Sequence, residues 1–573
     1  MNVPATGAVP VGNPATEFSV ALLGELISLG VRDIVLCPGS RSQALALAAA
    51  AWERDARVRL RVRIDERVAG FLALGIAVET RRPVVVITTS GTAVANLHPA
   101  ALEAHHSGVP LILLTADRPM ELRGIGSNQT TDQLGIFGSA VGWVRDVAPV
   151  DAPGAASLAA ASLAAEAFAA ATDTPGPVQL NLSFREPLSG PVGALPPLRS
   201  AHAAPLSPPA ARPIGTAPRT VVVAGHDAGP EAEAFARSLG VPLLAEVSSG
   251  ARFGPNLVAA YQRLLDDAEF GGRIERVVVF GHPTLSRQVP ALLGRPQVVV
   301  HIVRGVTADV YNPGHRAATI DGAVTAEGAP DESPEGRAWL GSWVHASRGI
   351  LAVEPAADDV PDSAAAVTPE ARVGERPGDF AREQLAVFRE PVTRRMLVEA
   401  VWRMTWPHDR LVLGASRLIR EADAWVPGKK IAVHANRGLA GIDGTIATGI
   451  GIALSSQDSE GGSSAGITRV LVGDLTALYD VGALLFGGSE TMPRIQVIVV
   501  NDCGGTIFDG LEVAGSAPAD SFDRVQYTPQ SVDLRSLAAA YGWDYRVAHN
   551  RGELDEALAA SDIPTLIEVP LPR

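Results

Sequence analysis

Residues 469–486 read R-V-L-V-G-D-L-T-A-L-Y-D-V-G-A-L-L-F, and residues 495–511 read I-Q-V-I-V-V-N-D-C-G-G-T-I-F-D-G-L. The apolar, β-branched runs 470–472 and 495–500 are typical of buried strands in a parallel sheet. The helical spacing of residues 477–486 predicts a strand–helix–strand unit, whose right-handed crossover brings both strand ends to one sheet edge. The stretch therefore predicts an α/β fold, in which ligands bind at that edge.

Each of the two predicted strands is followed by an acid. Asp474 follows the first strand and Asp502 the second, and the glycine turn Gly504–Gly505 comes next with free backbone groups. Two carboxylates and such a turn suit Mg²⁺, which fills its remaining positions with water and phosphate. The alternative is that acids after strands only cap helices. The second acid and the string G-G-T-I-F favour the metal site.

The order G-D … N-D resembles the diphosphate–magnesium signature of thiamine-diphosphate-dependent enzymes. The fuller strings G-D-L-T-A-L-Y-D and N-D-C-G-G-T-I-F resemble one branch of that superfamily, the 2-succinyl-5-enolpyruvyl-6-hydroxy-3-cyclohexene-1-carboxylate synthases of menaquinone biosynthesis. Leu475 stands where most of the superfamily has glycine, a departure that this branch shares, and Cys503 stands where Asn or Asp is expected. The resemblance implies an α/β protein of three Rossmann-like parallel-sheet domains.

The resemblance also implies the cofactors, thiamine diphosphate and Mg²⁺, with Mn²⁺ as a possible substitute for the metal. The implied metal ligands are Asp474, Asp502 and Gly504. The implied cofactor-binding residues are Glu66, Ile442, Asp474, Leu475, Thr476, Asp502, Gly504, Gly505, Ile507 and Phe508. Ile442, in N-R-G-L-A-G-I-D-G, matches the apolar residue that props the bent cofactor, although its pattern fits an ordinary core residue equally well.

Composition limits the class of protein. The chain has 573 residues, 47% hydrophobic and 19% charged, and is therefore globular and long enough for three or four domains. Its apolar runs are short and interrupted, so no membrane span is predicted. The net charge of −14 argues against nonspecific nucleic-acid binding. The two cysteines, Cys37 and Cys503, fall in separate predicted domains, which indicates a reducing, cytoplasmic location.

Sequence patterns divide the chain into three units and two linkers. The resemblance assigns pyrimidine binding to residues 1–190 and diphosphate and magnesium binding to residues 387–573, with a central α/β unit over 218–350. The Pro/Ala-rich residues 191–217 and the acidic, Ala/Pro-rich residues 351–386 are predicted linkers. Strands in the central unit are predicted near residues 220, 243, 278 and 299.

The first unit contains two candidate strand-to-helix junctions. In D-I-V-L-C-P-G-S-R-S-Q, Ser40 and Arg41 lead a predicted helix whose N-terminus suits an anion, and Ser40 as a plain N-cap is the alternative. Glu66 begins another helix, where an ordinary surface acid favoured by the helix dipole is the alternative. I-D-E-R resembles the segment that carries the family's cofactor-activating glutamate. Glu66 is thereby implied to be catalytic, holding a proton at N1′ of the aminopyrimidine.

Arginines in predicted turns suit substrates with several carboxylates, because a guanidinium binds a carboxylate through two hydrogen bonds. The strings T-A-D-R-P, S-N-Q, S-R-S and N-R-G match the same family. By that match, the implied substrate-binding residues are Ser40, Arg41, Arg118, Asn128, Gln129, Arg287, Ser416, Arg420 and Arg437.

The resemblance implies that 2-oxoglutarate is decarboxylated on thiamine diphosphate and that the succinyl carbanion equivalent adds to isochorismate. One alternative is another thiamine-dependent carboligase, such as an acetolactate synthase, which the S-R-S and N-R-G strings disfavour. A second is a non-catalytic binding protein that has kept the fold, which the intact Glu66, Asp474 and Asp502 disfavour. The resemblance further implies a homodimer or homotetramer whose active sites combine two subunits.

Overall fold

Three parallel sheets of six, five and six strands, with helices packed on them, form the protein. The computed structural model describes residues 13–150, 155–199, 211–305, 310–320, 322–352, 387–458 and 466–573. All neighbouring strands in these sheets run parallel, which confirms the predicted α/β class of Rossmann-like sheets. None of the helices in the described residues combines the length and apolarity needed to cross a membrane.

The first sheet has the strand order β2-β1-β3-β4-β6-β5. Its strands are β1 Asp33–Leu36, β2 Arg59–Val62, β3 Val84–Thr88, β4 Leu111–Asp117, β5 Trp143–Val147 and β6 Pro177–Ser183. The helices around it are α1 Pro14–Leu29, α2 Gln43–Arg54, α3 Glu66–Thr80, α4 Thr92–Asn96, α5 His98–Ser107 and α6 Ala155–Asp173. Because β3 and β4 are buried along their whole length, their sequences are continuous apolar runs rather than alternating ones.

The second sheet has the strand order β12-β11-β10-β8-β9, and β7 pairs separately with β13. The strands are β7 Arg212–Gly215, β8 Thr220–Ala224, β9 Leu243–Ala245, β10 Arg276–Phe280, β11 Val299–Val303, β12 Ala318–Ile320 and β13 Val324–Glu327. The helices are α7 Pro230–Leu239, α8 Tyr261–Asp266, α9 Gln288–Leu293 and α10 Pro334–Ala352. The four strands predicted for the central unit are confirmed.

The predicted linker 191–217 is more structured than its composition suggested. Val192, Leu195 and Leu198 pack against the core of the first unit, and β7 lies within the last residues of the linker. The reason is that the prolines keep the chain extended while the apolar side chains between them can still be buried. Residues 200–210 of this linker and 353–386 of the predicted linker 351–386 lie outside the described residues.

The third sheet has the strand order β15-β14-β16-β17-β19-β18. Its strands are β14 Arg410–Leu413, β15 Ala432–His434, β16 Thr468–Gly473, β17 Ile495–Asn501, β18 Asp544–Val547 and β19 Thr565–Pro570. The helices are α11 Arg394–Met404, α12 Arg417–Trp425, α13 Thr445–Gln457, α14 Asp474–Tyr479, α15 Glu512–Ser516, α16 Ala519–Phe522, α17 Leu534–Ala540 and α18 Arg551–Ala557. The two apolar runs are confirmed as parallel strands of one sheet, β16 and β17, and the structure shows that they are neighbours.

The predicted helix over 477–486 is wrong in its bounds. Helix α14 begins at Asp474, and a separate 3₁₀ turn covers Val481–Leu484. Between them lies Asp480, which is fully buried and accepts a hydrogen bond of 2.9 Å from the backbone N–H of Ala447 in α13. This contact with another helix interrupts the helical pattern, and residue spacing alone could not reveal it.

Two glycine-bearing helices join the first and third sheets. A Cβ on Gly75 of α3 would lie 2.1 Å from the carbonyl O of Thr448, and one on Gly451 of α13 would lie 2.3 Å from that of Leu72. Only glycine permits this approach of two backbones. One hydrophobic core consequently extends from the first sheet through α3 and α13 to the third sheet.

Candidate active site

Four neighbouring strands of the third sheet carry predicted site residues at their carboxyl ends. In spatial order these strands are β15, β14, β16 and β17. Arg437 lies three residues beyond β15, Ser416 three beyond β14, Asp474 directly after β16 and Asp502 directly after β17. Because the strands are parallel, these residues share one edge, which we call the third-sheet edge.

Asp474 is a buried carboxylate in this edge, 1% exposed. Its Oδ1 accepts from the backbone N–H of Leu475 at 2.6 Å, and its Oδ2 accepts from Nε2 of Gln530 at 2.8 Å. Burial raises the pKa of Asp474, and the neighbouring Asp502 carboxylate raises it further, while the hydrogen bond from Gln530 opposes the rise. The two acids are therefore close enough to repel each other.

Asp502 is also buried, and its carboxylate contacts one cation. Its Oδ2 accepts from Nη2 of Arg394 at 2.9 Å and from the hydroxyl of Thr506 at 2.6 Å. The adjoining glycine turn is tightly packed, since a Cβ on Gly504 would lie 2.5 Å from the carbonyl O of Tyr527. The turn is thus held against the chain that follows it.

The acid pair fits a divalent cation. Two adjacent buried carboxylates are oxygen ligands of the kind that Mg²⁺ takes, and a bound cation would remove their repulsion. Within the described ranges, no cluster of three or more His, Cys, Asp or Glu side chains could hold a metal. Backbone carbonyls, water or phosphate would have to complete the coordination of a metal held by Asp474 and Asp502.

The other residues implied to bind the cofactor lie around this pair. Thr476 is buried in α14, and Leu475, Ile507 and Phe508 are half-buried beside the acids. Gly505 packs against the ring of Phe508. Ile442 is 38% exposed near the end of the loop that leads into α13, so the alternative that it is an ordinary core residue is wrong. An exposed isoleucine beside a ligand edge fits a side chain that a cofactor would cover.

Three arginines come together at the third-sheet edge. Nε of Arg437 donates to the hydroxyl of Thr284 at 2.9 Å and its Nη2 to the carbonyl O of Thr284 at 3.1 Å. Burial lowers the pKa of Arg437, and Arg420 contributes to the lowering; burial and Arg287 lower the pKa of Arg420 in turn. The Arg420 guanidinium thus lies near those of Arg437 and Arg287, whereas the carboxylates of Glu246 and Glu103 raise the pKa of Arg437. An anion bound beside Arg420 would reduce the repulsion between the arginines.

Arg420 and Arg287 are held more loosely than Arg437. Arg420 lies one helical turn after Ser416 and donates to the Ser416 carbonyl O at 3.1 Å. The hydroxyl of Ser416 caps α12 by accepting from the N–H of Leu418. Arg287 is exposed and pairs with Glu512 at 3.2 Å. Both arginines therefore remain accessible to a ligand.

The first sheet repeats the arrangement at its own carboxyl edge, which we call the first-sheet edge. Its neighbouring strands β2, β1, β3 and β4 are followed by Glu66, Arg41, Ser90 and Arg118. The predicted residues of the first unit thus meet at one edge in the same way as those of the third unit.

Glu66 is half-buried as the first residue of α3. The helix is capped by Asp65, whose carboxylate accepts from the N–H groups of Arg67 and Val68, so Glu66 has no capping task. Burial raises the pKa of the Cys37 thiol, and the Glu66 carboxylate raises it further. Glu66 therefore lies close to the end of β1.

Arg118 is a buried cation of the first-sheet edge, 8% exposed. It donates to the hydroxyl of Ser90 and to the carbonyl O of Gln129, the latter at 2.8 Å. Gln129 has a φ of +57° and donates from Nε2 to the carbonyl O of Ser90 at 2.9 Å. Burial and the neighbouring Arg41 lower the pKa of Arg118. Arg41 and Arg118 are thus close together.

Three further predicted residues line the first-sheet edge. Ser40 and Asn128 are exposed, and Nη1 of Arg41 donates to the carbonyl O of Phe184 at 3.1 Å. The residue at the N-cap of α2 is Ser42, so the alternative that Ser40 caps this helix is wrong. Ser40 is left with an exposed hydroxyl beside Arg41.

In the part of the chain that the structure describes, the candidate side chains of the two edges are not paired with one another. Across the described residues, no hydrogen bond or ion pair links the candidate residues of the first-sheet edge to those of the third-sheet edge. The residues flanking Glu66 do reach the third unit, since Arg63 pairs with Glu490 at 2.7 Å and Arg67 donates to the carbonyl O of Tyr479 at 2.6 Å.

Several residues of the site escaped the sequence patterns. Gln530 and Thr284 come from loops far along the chain, and nothing in their surroundings marks them. Thr506 was within the quoted string N-D-C-G-G-T-I-F, and Ser90 lies two residues beyond the apolar run of β3, but only the structure shows what their hydroxyls contact. The general signal is a hydroxyl or amide residue just beyond a buried strand.

Comparison with known proteins relates the whole chain to one group of enzymes. The family model described as "Thiamine pyrophosphate enzyme, N-terminal TPP binding domain" matches residues 16–136. A 2-succinyl-5-enolpyruvyl-6-hydroxy-3-cyclohexene-1-carboxylate synthase of Leifsonia xyli subsp. xyli is 59% identical, covering 100% of this chain and 98% of that protein. A protein of the same name from Clavibacter michiganensis subsp. michiganensis is 56% identical, covering 100% of this chain and 98% of that protein. Another, from Mycobacterium avium, is 39% identical, covering 96% of this chain and 95% of that protein.

Proposed function

The chain belongs to the family of 2-succinyl-5-enolpyruvyl-6-hydroxy-3-cyclohexene-1-carboxylate synthases, and from that premise we propose that it is a thiamine-diphosphate-dependent transferase of menaquinone biosynthesis. It would decarboxylate 2-oxoglutarate and transfer the succinyl unit to isochorismate. The observation that carries the proposal is the third-sheet edge, where neighbouring strands present arginines and then an acid pair. That order suits a dicarboxylate beside a metal-bound diphosphate.

We propose that residues 387–573 hold the diphosphate of the cofactor and that Asp474, Asp502 and a backbone carbonyl at Gly504 hold Mg²⁺. When bound, thiamine diphosphate supplies the reactive carbon and the electron sink for decarboxylation. Two buried, mutually repelling carboxylates support the metal site. The exposed Ile442 supports a cofactor lying against the loop that it occupies.

Glu66 would act as the acid–base residue of residues 1–190. Its carboxylate, free of any capping task, would hold a proton at N1′ of the aminopyrimidine and favour the imino tautomer. The half-buried position at the head of α3 supports this role, because a carboxylate shielded from water and held by a rigid helix keeps a fixed geometry toward its partner.

The arginines would orient the two substrates, both of which are dicarboxylates. Arg287, Arg420 and Arg437 at the third-sheet edge and Arg41 and Arg118 at the first-sheet edge form two separate cationic groups. A carboxylate placed between guanidinium groups relieves their repulsion and accepts paired hydrogen bonds. Ser40, Asn128, Gln129 and Ser416 would supply neutral hydrogen bonds beside them.

Two copies of the chain would form each active site. In the described part of the chain the candidate residues of the two edges share no hydrogen bond or ion pair, and large apolar side chains near both edges are exposed, such as Ile64 at 74%, Met120 at 72% and Leu439 at 53%. A second copy of the chain that supplied the missing edge would cover these side chains. We therefore propose a homodimer, or a tetramer built from it, in the cytoplasm.

The reaction tests the proposal directly. Purified protein would be given isochorismate, 2-oxoglutarate, thiamine diphosphate and Mg²⁺, and the loss of isochorismate absorbance would be followed. We expect loss only when all four are present. Pyruvate in place of 2-oxoglutarate is the control: turnover with pyruvate and none with isochorismate would contradict the proposal and indicate an acetolactate-type carboligase.

A further inference from the structure

Glu103, a residue of α5 in the first unit, makes an unusual contact with the third unit. Its Oε1 accepts from the backbone N–H of Gly438 at 2.7 Å, and its Oε2 accepts from that of Leu439 at 2.8 Å. The side chain is 4% exposed. One buried carboxylate therefore holds two successive amides of a loop that belongs to another sheet.

The loop that Glu103 holds is residues 436–443, which we call the N-R-G loop. It carries Arg437, proposed above to bind a substrate carboxylate, and Ile442, proposed to contact the cofactor. The guanidinium of Arg437 is tied at its far end to Thr284. The Arg437 side chain is thus fixed by the central unit, while the backbone just after it is fixed by Glu103.

The packing leaves the N-R-G loop little freedom. A Cβ on Gly438 would lie 2.7 Å from the hydroxyl of Ser107 and 2.9 Å from the carbonyl O of Glu103. Glu103 also acts through its charge, because its carboxylate is among the groups that raise the pKa of Arg437 against the lowering effect of burial. The carboxylate thus influences the position of Arg437 and lies near its guanidinium as an opposite charge.

We propose that Glu103 is a positioning residue for the active site. It fixes the position of the N-R-G loop and thereby the position of Arg437. This inference rests on the proposed function of Arg437. It goes beyond it by assigning a role to Glu103, a buried residue of the first unit that contacts the backbone of the loop.

The isosteric change Glu103→Gln tests the proposal. It keeps one acceptor oxygen but turns the other position into an NH₂ group that faces a backbone N–H, so one of the two amides loses its partner. The loss of a buried, charge-assisted hydrogen bond corresponds to roughly tenfold or more in an equilibrium. We expect the KM of one substrate to rise by about that factor with a smaller change in kcat, and we expect the same substrate to be affected in Arg437→Lys.

Hydrogen exchange gives a measurement that does not depend on turnover. Peptides covering the N-R-G loop should exchange faster in Glu103→Gln than in the wild type, because the Gly438 and Leu439 amides are less protected. If Glu103→Gln does not yield folded protein, Gly438→Ala disturbs the same contact from the other side and should have the same effects. Unchanged exchange in the loop would overturn the proposal.

Asp409→Asn is the matched control. Asp409 is a buried carboxylate, 3% exposed, which also accepts from two backbone amides, those of Trp406 and Ile467 at 2.9 Å. This variant should lose stability without changing either KM. If Glu103→Gln likewise changes only stability, its role is structural and the proposal is wrong. If the wild type turns over neither substrate, the proposed function fails, and the exchange measurement still decides whether Glu103 holds the loop.

Discussion

Glu66 illustrates at the residue scale how a side chain is left available for chemistry. Asp65 supplies the hydrogen bonds that the start of α3 needs, and Arg63 and Arg67 supply the contacts to the third unit. The residues around Glu66 thus carry the structural tasks. A substitution at Glu66 should therefore affect chemistry far more than folding.

We expect Glu66→Gln to fold and to bind thiamine diphosphate with nearly wild-type affinity, because the amide keeps the shape of the side chain. The amide cannot hold a proton at N1′, so exchange of the cofactor's C2 proton should slow by roughly 10²- to 10⁴-fold. The exchange rate can be followed by NMR with the bound cofactor. Exchange at the wild-type rate would show that another group activates the cofactor.

Asp480 gives a second prediction at this scale, which concerns pH. Burial raises the pKa of Asp480 from 3.8 to about 7, against the lowering effects of the Ala447 N–H and Arg67, while Asp65 adds to the rise. The folded protein therefore binds this proton more tightly than the unfolded chain does. The resulting stabilisation is complete below about pH 4 and is lost as the pH rises to about 7, with a slope of up to about 1.4 kcal/mol per pH unit.

The variant Asp480→Asn keeps an acceptor for the Ala447 amide but cannot ionise. Its free energy of unfolding should lose this part of the pH dependence. The stability of the variant should therefore increase relative to that of the wild type as the pH rises from about 4 to about 7. Urea unfolding of both proteins across that range measures the difference. A difference that stays constant with pH would contradict the assignment.

At the scale of elements, the sequence patterns predicted the buried strands well and the contacts between elements poorly. Strands β16 and β17 were predictable because a buried parallel strand needs an unbroken apolar run. The bounds of α14 were not, because Asp480 turns toward α13. For the same reason the acid pair was predictable from strand ends, whereas its partner Gln530 was not, since that contact exists only after folding.

The strand-end acids provide the next prediction. Asp474→Ala and Asp502→Ala should each weaken the binding of Mg²⁺ and of thiamine diphosphate together, because the ion would bridge protein and diphosphate. Calorimetric titration of the cofactor, with and without Mg²⁺, measures both effects. Asp533→Ala, which removes the cap of α17 elsewhere in the same unit, is the control. Undiminished affinity in both acid variants would place the metal elsewhere.

The arginines beyond β14 and β15 can be tested by the change to lysine. Arg420→Lys and Arg437→Lys keep the positive charge but lose the paired hydrogen bonds of the guanidinium. We expect a loss in kcat/KM of roughly 10- to 100-fold in each variant, with thiamine diphosphate binding nearly unchanged. Unchanged kcat/KM in both variants would mean that these arginines do not hold substrate.

At the scale of the whole molecule, the protein has two similar sheet edges that each contain only part of the proposed active site. Each collects residues from four neighbouring strands, and each contains an arginine group, but neither contains everything that the reaction needs. Glu66 belongs to the first-sheet edge and Asp502 to the third-sheet edge. If each site combines the first unit of one subunit with the third unit of its partner, a two-fold dimer has two equivalent sites.

Mixing two inactive variants distinguishes a shared site from a site within one chain. Equal amounts of Glu66→Gln and Asp502→Ala chains would be unfolded, combined and refolded, with the dimer composition checked by mass spectrometry. In a mixed dimer with shared sites, one site has both substitutions and the other has neither. Random pairing makes about half of the dimers mixed, so about a quarter of the wild-type activity should return. If each site lay within a single chain, every site in the mixture would contain a substitution, and no activity would return although mixed dimers were present.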